Sequence, residues 1–149
     1  MANFTKLQPI DMGELPNEAK ILTLASAVYT GVASNGATSP TYGVHFKLSE
    51  RHDKYLILLK NKGVSGDVTA SVKAGNSGLW GTKDLDVTIK NGEIAFLKIE
   101  AGRFKNNTPN AEMKALAGYT ADSTEDMKGD VVITCSTADL EVAVIKQPF

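Results

Sequence analysis

The chain reads as an all-β protein: a single antiparallel β-sandwich, jelly-roll or Ig-like, with an extended N-terminal arm. Three observations predict this. Short segments alternate apolar and polar residues with a period of two, as strands with one buried face do. Turn residues punctuate them at the spacing expected of a sandwich or barrel. No helical pattern reaches the length of a full helix, and no repeat of fixed period is visible. With 149 residues the chain is about one domain, long enough to bury one core without disulfide staples. Residues 1–19 read as the arm and 20–149 as the sandwich.

The arm has no clean period. Phe4, Leu7, Ile10, Met12 and Leu15 are spaced by two or three, and Pro9, Gly13 and Pro16 interrupt any helix or long strand. A free tail is more polar than this. The arm therefore docks its apolar residues, either on another molecule or back on its own domain. Those five residues are candidates for partner binding.

Strands follow at about 20–24 and 27–32, and then a loop by composition runs from Ala33 to Pro40. Tyr42, Val44, Phe46 and Leu48 alternate with Gly43, His45 and Lys47, a half-buried strand. Lys54–Lys60 is apolar on both faces, which marks a central strand or one at an oligomer interface. Val68, Ala70 and Val72 alternate again, and Ala74–Lys83 is a glycine-rich loop carrying Trp80.

The clearest local signal is Asp84–Glu100. Leu85, Val87 and Ile89 alternate with Asp86, Thr88 and Lys90, and Asn91-Gly92 then tolerates the positive φ of a tight type I′ turn. Ile94–Ile99 returns, so the pattern predicts a β-hairpin, its second strand closing at Ala101–Phe104. Lys105–Lys128 is irregular, with helical spacing near 111–117. Strands at Val131–Ser136 and Leu140–Val144 close the chain, and Pro148 ends any pairing.

Composition narrows function more by exclusion than by assertion. The net charge is −1, from 16 basic and 17 acidic residues, without the basic excess that nucleic-acid binding uses. No apolar run approaches the roughly 18 residues of a membrane span. No basic stretch followed by an apolar one marks a signal peptide, so a soluble protein made in the cytoplasm is expected. The single cysteine, Cys135, lies in an apolar strand pattern and reads as a buried, inert thiol.

His45 and His52 lie near Glu50 and Asp53, but no metal-ligand spacing is present, and both read as surface residues. There is no Gly-x-Ser-x-Gly elbow and no Walker-type Gly-Lys-Ser/Thr. No catalytic residue, cofactor or metal site is expected, and an enzyme is not. Trp80 and the scattered tyrosines Tyr29, Tyr42, Tyr55 and Tyr119 make a weak case for a sugar-binding face. Trp80 equally suits a cap on the core or a contact with a neighbouring subunit.

The middle of the chain resembles a known family. The relevant runs are Asp53–Asn61, Val68–Asn76 with its Val-Thr-Ala-Ser-Val-Lys-Ala-Gly, Asp84–Ile89 and Ile99–Phe104 with its Glu-Ala-Gly-Arg-Phe. These resemble the head decoration, or auxiliary capsid, proteins of tailed bacteriophages. Val131–Ile145 resembles their C-terminal strand pair, and Lys90-Asn91-Gly92 stands where the family often has Pro-Ala-Gly. The resemblance implies a non-enzymatic virion protein that binds the outer surface of the capsid and stabilises it. Its partner would be the major capsid protein, and it would form a homo-oligomer, most often a trimer. The alternatives are a carbohydrate-binding module, possibly displayed on a virion, and a tail or baseplate β-module.

Overall fold

The computed structural model describes residues 4–12, 24–26, 28–29, 42–48, 54–75, 83–99, 101–106, 114–115, 117, 119 and 122–147. Among them the chain is a β-sandwich. The strands are β1 (Thr5–Leu7), β2 (Ile10–Asp11), β3 (Ala25–Ser26), β4 (Val28–Tyr29), β5 (Tyr42–Lys47), β6 (Tyr55–Asn61), β7 (Val68–Val72), β8 (Leu85–Ile89), β9 (Ile94–Leu97), β10 (Asp130–Cys135) and β11 (Leu140–Lys146). A helical turn, α1 (Ala101–Phe104), and helical backbone at 114–115 interrupt them.

Sheet A has the order β1-β5-β10-β7-β8, with β4 also on the β1 edge of β5. Sheet B has the order β2-β11-β6-β9, with β3 also on β11. From β5 onward every connection except β7–β8 crosses from one sheet to the other. With β3 as its first strand, sheet B reads β3-β11-β6-β9 against β5-β10-β7-β8. That is the strand order of a jelly roll, two four-stranded sheets wound together, and it selects between the two topologies the sequence left open. The sheets are mixed, because β1 and β2 pair in parallel with β5 and β11.

Inward residues of both sheets make one core. Val44, Phe46, Val68, Ala70, Val72, Val131 and Ile133 come from sheet A, and Tyr55, Ile57, Leu59, Leu140, Val142 and Val144 from sheet B. Cys135 joins this cluster, and burial raises its thiol pKa, as expected of an inert residue. At one end Asn61 is fully buried. Its amide donates to the carbonyls of Gly66 and Ile89 at 2.7 and 3.1 Å and accepts from the Gly63 N–H at 2.9 Å. One side chain thus ties β6 to the 63–66 turn and to the end of β8.

Two expectations change, and a third point was left open by the sequence. First, Asp84–Glu100 is not a hairpin. The turn is present, with Glu93 N–H donating to Lys90 O at 2.9 Å and Gly92 at φ 77°. However, β8 pairs with β7 and β9 pairs with β6, so the turn is an arch between sheets. Leu85 and Val87 then pack against the same core as Ala95 and Leu97 of the opposite sheet. A period of two and a tight turn are common to hairpins and arches, and only the long-range partners separate them. Second, Ala101–Phe104 turns as a helix instead of extending the strand. Third, the described part of the arm does not stand away from the sandwich. Phe4 and Leu7 are buried, and β1 and β2 belong to the two sheets. Their apolar side chains remove more surface from water by closing the sandwich edge than by projecting.

Candidate functional site

The two outer faces of the sandwich differ, and each carries part of the chemistry singled out above. On the outer face of sheet A, side chains alternate with the core residues: Gly43, His45 and Lys47 on β5, and Asp130, Val132 and Thr134 on β10. Over them lies a second, smaller apolar cluster of Phe4, Ala117, Met127 and Val132, with Tyr119 against it. Ala117, Tyr119 and Met127 supply most of it and form a cover over this face.

Phe4 has a built seat. A Cβ on Gly43 would lie 2.4 Å from Phe4 Cε2 and 2.5 Å from Ile133 O, so only glycine leaves room for the ring. Phe4 N–H donates to Ala117 O at 2.9 Å. Lys6 Nζ meets Glu125 Oε1 at 2.5 Å, and Lys47 Nζ meets Asp126 Oδ2 at 2.7 Å. The hydrogen bond to Glu125 raises the Lys6 pKa above the usual lysine range, and the Lys47 hydrogen bond lowers that of Asp126. Strand β1 and the cover therefore hold each other down on β5.

Beneath them His45 is fully buried, correcting the expectation of a surface histidine. His45 does fall on the polar face of its strand, as the alternation requires, but that face is covered. His45 Nδ1 lies 2.6 Å from Asp130 Oδ2, and Nε2 lies 3.0 Å from the Tyr119 hydroxyl. A carboxylate only accepts, so Nδ1 carries the proton, and in the uncharged ring Nε2 accepts from Tyr119. Tyr119 also stands edge-on to the ring, with centroids 5.5 Å apart.

The row Asp130–His45–Tyr119 has the order of a charge-oriented base and a hydroxyl, yet its chemistry is that of a tie. Burial, then Glu125, raises the Tyr119 phenol pKa, the reverse of what an activated nucleophile needs. Both His45 and Asp130 are sealed from solvent. Two further buried oxygens, Asp130 Oδ1 and Asn106 Oδ1, lack a donor, and they sit on residues bridged as antiparallel neighbours. The rest of this face, over β7 and β8, is polar: Thr69 and Thr88 hydroxyls meet at 3.0 Å, and Lys73 pairs with Asp84 at 2.5 Å. Burial raises the Asp84 pKa, and the Lys73 and Ala74 N–H bonds outweigh it, leaving a net lowering.

The outer face of sheet B is built from Ile10 on β2, Glu141, Ala143 and Ile145 on β11, Leu56, Leu58 and Lys60 on β6, and Ile94 and Phe96 on β9. The register places Ile145 between Ile10 and Leu56, Leu58 between Ala143 and Phe96, and Lys60 between Glu141 and Ile94. This explains why Lys54–Lys60 is apolar on both faces: β6 is central, with one row in the core and one on this face. Toward β9 the face opens. Phe96 is 64% exposed and Ile94 50%, on a strand paired on one side only among the described residues.

The sequence-derived candidates thus divide. Phe4 and Leu7 are buried within the chain, Ile10 is half-buried on the face of sheet B, and Met12 is exposed. Leu15, Trp80 and His52 lie outside the described residues. Tyr55 is buried in the core, which removes it from any aromatic sugar platform. Sequence reasoning missed Ile94 and Phe96 because the hairpin reading gave Ile94–Ile99 a scaffold role. The available signal was that Ile-Ala-Phe-Leu is apolar on both faces. Among the described residues no group of three or more His, Cys, Asp or Glu side chains could hold a metal, and no helix is long and apolar enough to cross a membrane. No protein-family model, no curated protein and no solved structure matches the chain.

Proposed function

We propose that the chain is a non-enzymatic structural protein of a virion, one that binds the outer surface of a bacteriophage capsid and stabilises it. The observation that carries this reading is the apolar outer face of sheet B, with Ile94 and Phe96 presented on an edge strand. Paired on one side only among the described residues, such a strand brings a main-chain edge and an aromatic anchor together, which suits the addition of a strand from the major capsid protein. The resemblance in residues 53–104 to head decoration proteins points the same way. A jelly roll is also an architecture that capsid proteins use.

This reading moves the capsid contact from the arm to β9, since Phe4 and Leu7 are occupied inside the sandwich. Co-sedimentation with expanded heads that lack the decoration tests it. Wild-type protein binds the heads, and Phe96→Glu lowers the affinity at least about tenfold, a typical loss for an aromatic anchor. Failure of the wild type to bind heads overturns the reading. Unchanged binding by a folded Phe96→Glu variant overturns the assignment of the surface.

A further inference from the structure

The turn at Asn91-Gly92 carries chemistry that the capsid reading does not use. Both residues are exposed. Among the described residues neither the Asn91 side-chain amide nor the Gly92 N–H has a hydrogen-bond partner. We propose that Asn91 is a deamidation site of the folded protein, and that its conversion loosens the arch between the two sheets.

The step needs the next main-chain nitrogen to reach the asparagine side chain. Gly92 N loses its proton and attacks Asn91 Cγ. The N–Cγ bond forms, the Cγ–Nδ2 bond breaks, and Nδ2 leaves with the proton as ammonia. Water then opens the resulting succinimide ring at either carbonyl. One product is aspartate at 91, and the other is isoaspartate, whose main chain runs through the side-chain carbon. A residue without Cβ hinders this closure least. Gly92 also borders open space, since a Cβ there would meet nothing within 4 Å.

Two other asparagines show what the fold withholds elsewhere. Asn61 is buried, its Nδ2 donates to Gly66 O and Ile89 O, and the following N–H, of Lys62, is held by Asp139 O at 2.9 Å. Asn106 is buried, and its Nδ2 donates to Asp130 O at 2.9 Å. Those rings can close only when the structure around them opens. The other Asn-Gly pair, Asn35-Gly36, lies outside the described residues.

The place of the turn gives the reaction its consequence. Asn91 N–H donates to Asp67 Oδ1 at 3.1 Å, so conversion puts a new negative charge on the residue that holds the Asp67 carboxylate. Isoaspartate also lengthens the main chain of a turn closed by Glu93 N–H on Lys90 O at 2.9 Å. Asn61 N–H donates to Glu93 O at 3.0 Å, which couples the turn to the end of β6. The inference stands apart from the capsid reading.

Full-length protein is incubated at mildly alkaline pH without denaturant, sampled over time and digested at mildly acidic pH. A synthetic peptide of residues 84–98 is treated alongside. Mass spectrometry follows the exchange of amide for carboxyl at each asparagine, and electron-transfer fragmentation separates isoaspartate from aspartate. Asn91 is expected to give both products at least about tenfold faster than Asn61 and Asn106, whose amides must first be exposed. Aged protein is expected to unfold at lower urea concentration than fresh protein. An Asn91→Gln variant, which would have to close a larger ring, keeps its midpoint over the same period. Asn91 unchanged while the peptide converts overturns the site. One shared rate at all three asparagines overturns it too, because the reaction then runs through unfolded chains. A midpoint that does not fall, or that falls equally in Asn91→Gln, overturns the loosening.

Discussion

The two outer faces of this sandwich meet the same problem differently. A sheet has two sides and the core covers only one. Sheet A covers its other side from within: Phe4, Ala117 and Met127 close over β5 and β10, and the remainder over β7 and β8 is polar. Sheet B keeps apolar side chains on its other side: Leu58 and Ala143 are buried, Ile10, Leu56 and Ile145 half-buried, and at β9 Ile94 and Phe96 are exposed. The edges joined by the Asn91-Gly92 turn repeat the contrast. On the outer side β8 shows Asp86 and Thr88, whereas β9 shows Ile94 and Phe96. Charged and polar residues are the ordinary protection of a free edge. One edge thus presents polar side chains to water, and the other presents Ile94 and Phe96.

If sheet A's face is structural and sheet B's is not, substitutions should separate them. The largest effect is expected at His45. His45→Ala leaves the Asp130 carboxylate buried without its partner, a loss of about 3–5 kcal/mol in urea denaturation. A loss below about 1 kcal/mol would show that the tie does not hold the cover. Next, Phe4→Ala opens a cavity between Gly43 and the cover and should cost about 3 kcal/mol, lowering the melting temperature by several degrees. The matching Phe96→Ala on sheet B should change stability by less than about 0.5 kcal/mol. Equal losses at positions 4 and 96 would erase the distinction between the faces.

Tyr119→Phe removes one hydrogen bond to His45 and should cost about 1 kcal/mol. The smallest effect is that of pH on the cover. Asp126 has its pKa lowered by Lys47, so its contribution is present above the unfolded value, about 4, and is lost as pH falls through the folded one. Lys6 has its pKa raised by Glu125, so its contribution is present below about 10 and is lost as pH rises through the folded value. The protection of the Phe4 amide, whose N–H is held by the cover, should be greatest between these limits once exchange is corrected for its intrinsic rise with pH. Protection that stays the same beyond both limits would show that the ion pairs contribute nothing.

Most strands of the sandwich were legible because each carries its own signal. Tyr42–Lys47, Val68–Val72 and Leu85–Ile89 alternate, and the turns between them hold glycine or asparagine. What was not legible was partnership. Leu85–Ile89 looks the same whether Ile94–Leu97 lies beside it or across the core. Likewise His45 sits correctly on the polar face of β5, but burial by a segment some seventy positions away leaves no local trace; the separation to Tyr119 is 74 residues. Phe4 and Leu7 were recognised as residues that dock, and the surface that receives them is set by Gly43 and Ala117, which no spacing rule connects to them.

The alternation of strands between sheets also governs how the molecule comes into being. His45 and Asp130 touch across 85 residues, and β10 lies between β5 and β7 in sheet A. In sheet B, β11 lies between the early strands β2 and β3 and the middle strand β6. Strands made late therefore occupy the centres of both sheets. A nascent chain ending before Asp130 holds the β7–β8 and β6–β9 pairs but lacks the strand that joins each pair to the rest of its sheet. Such a topology folds slowly, and its intermediates expose unpaired edges. Shortening the chain at its far end would take out the middle of sheet B, not trim its border.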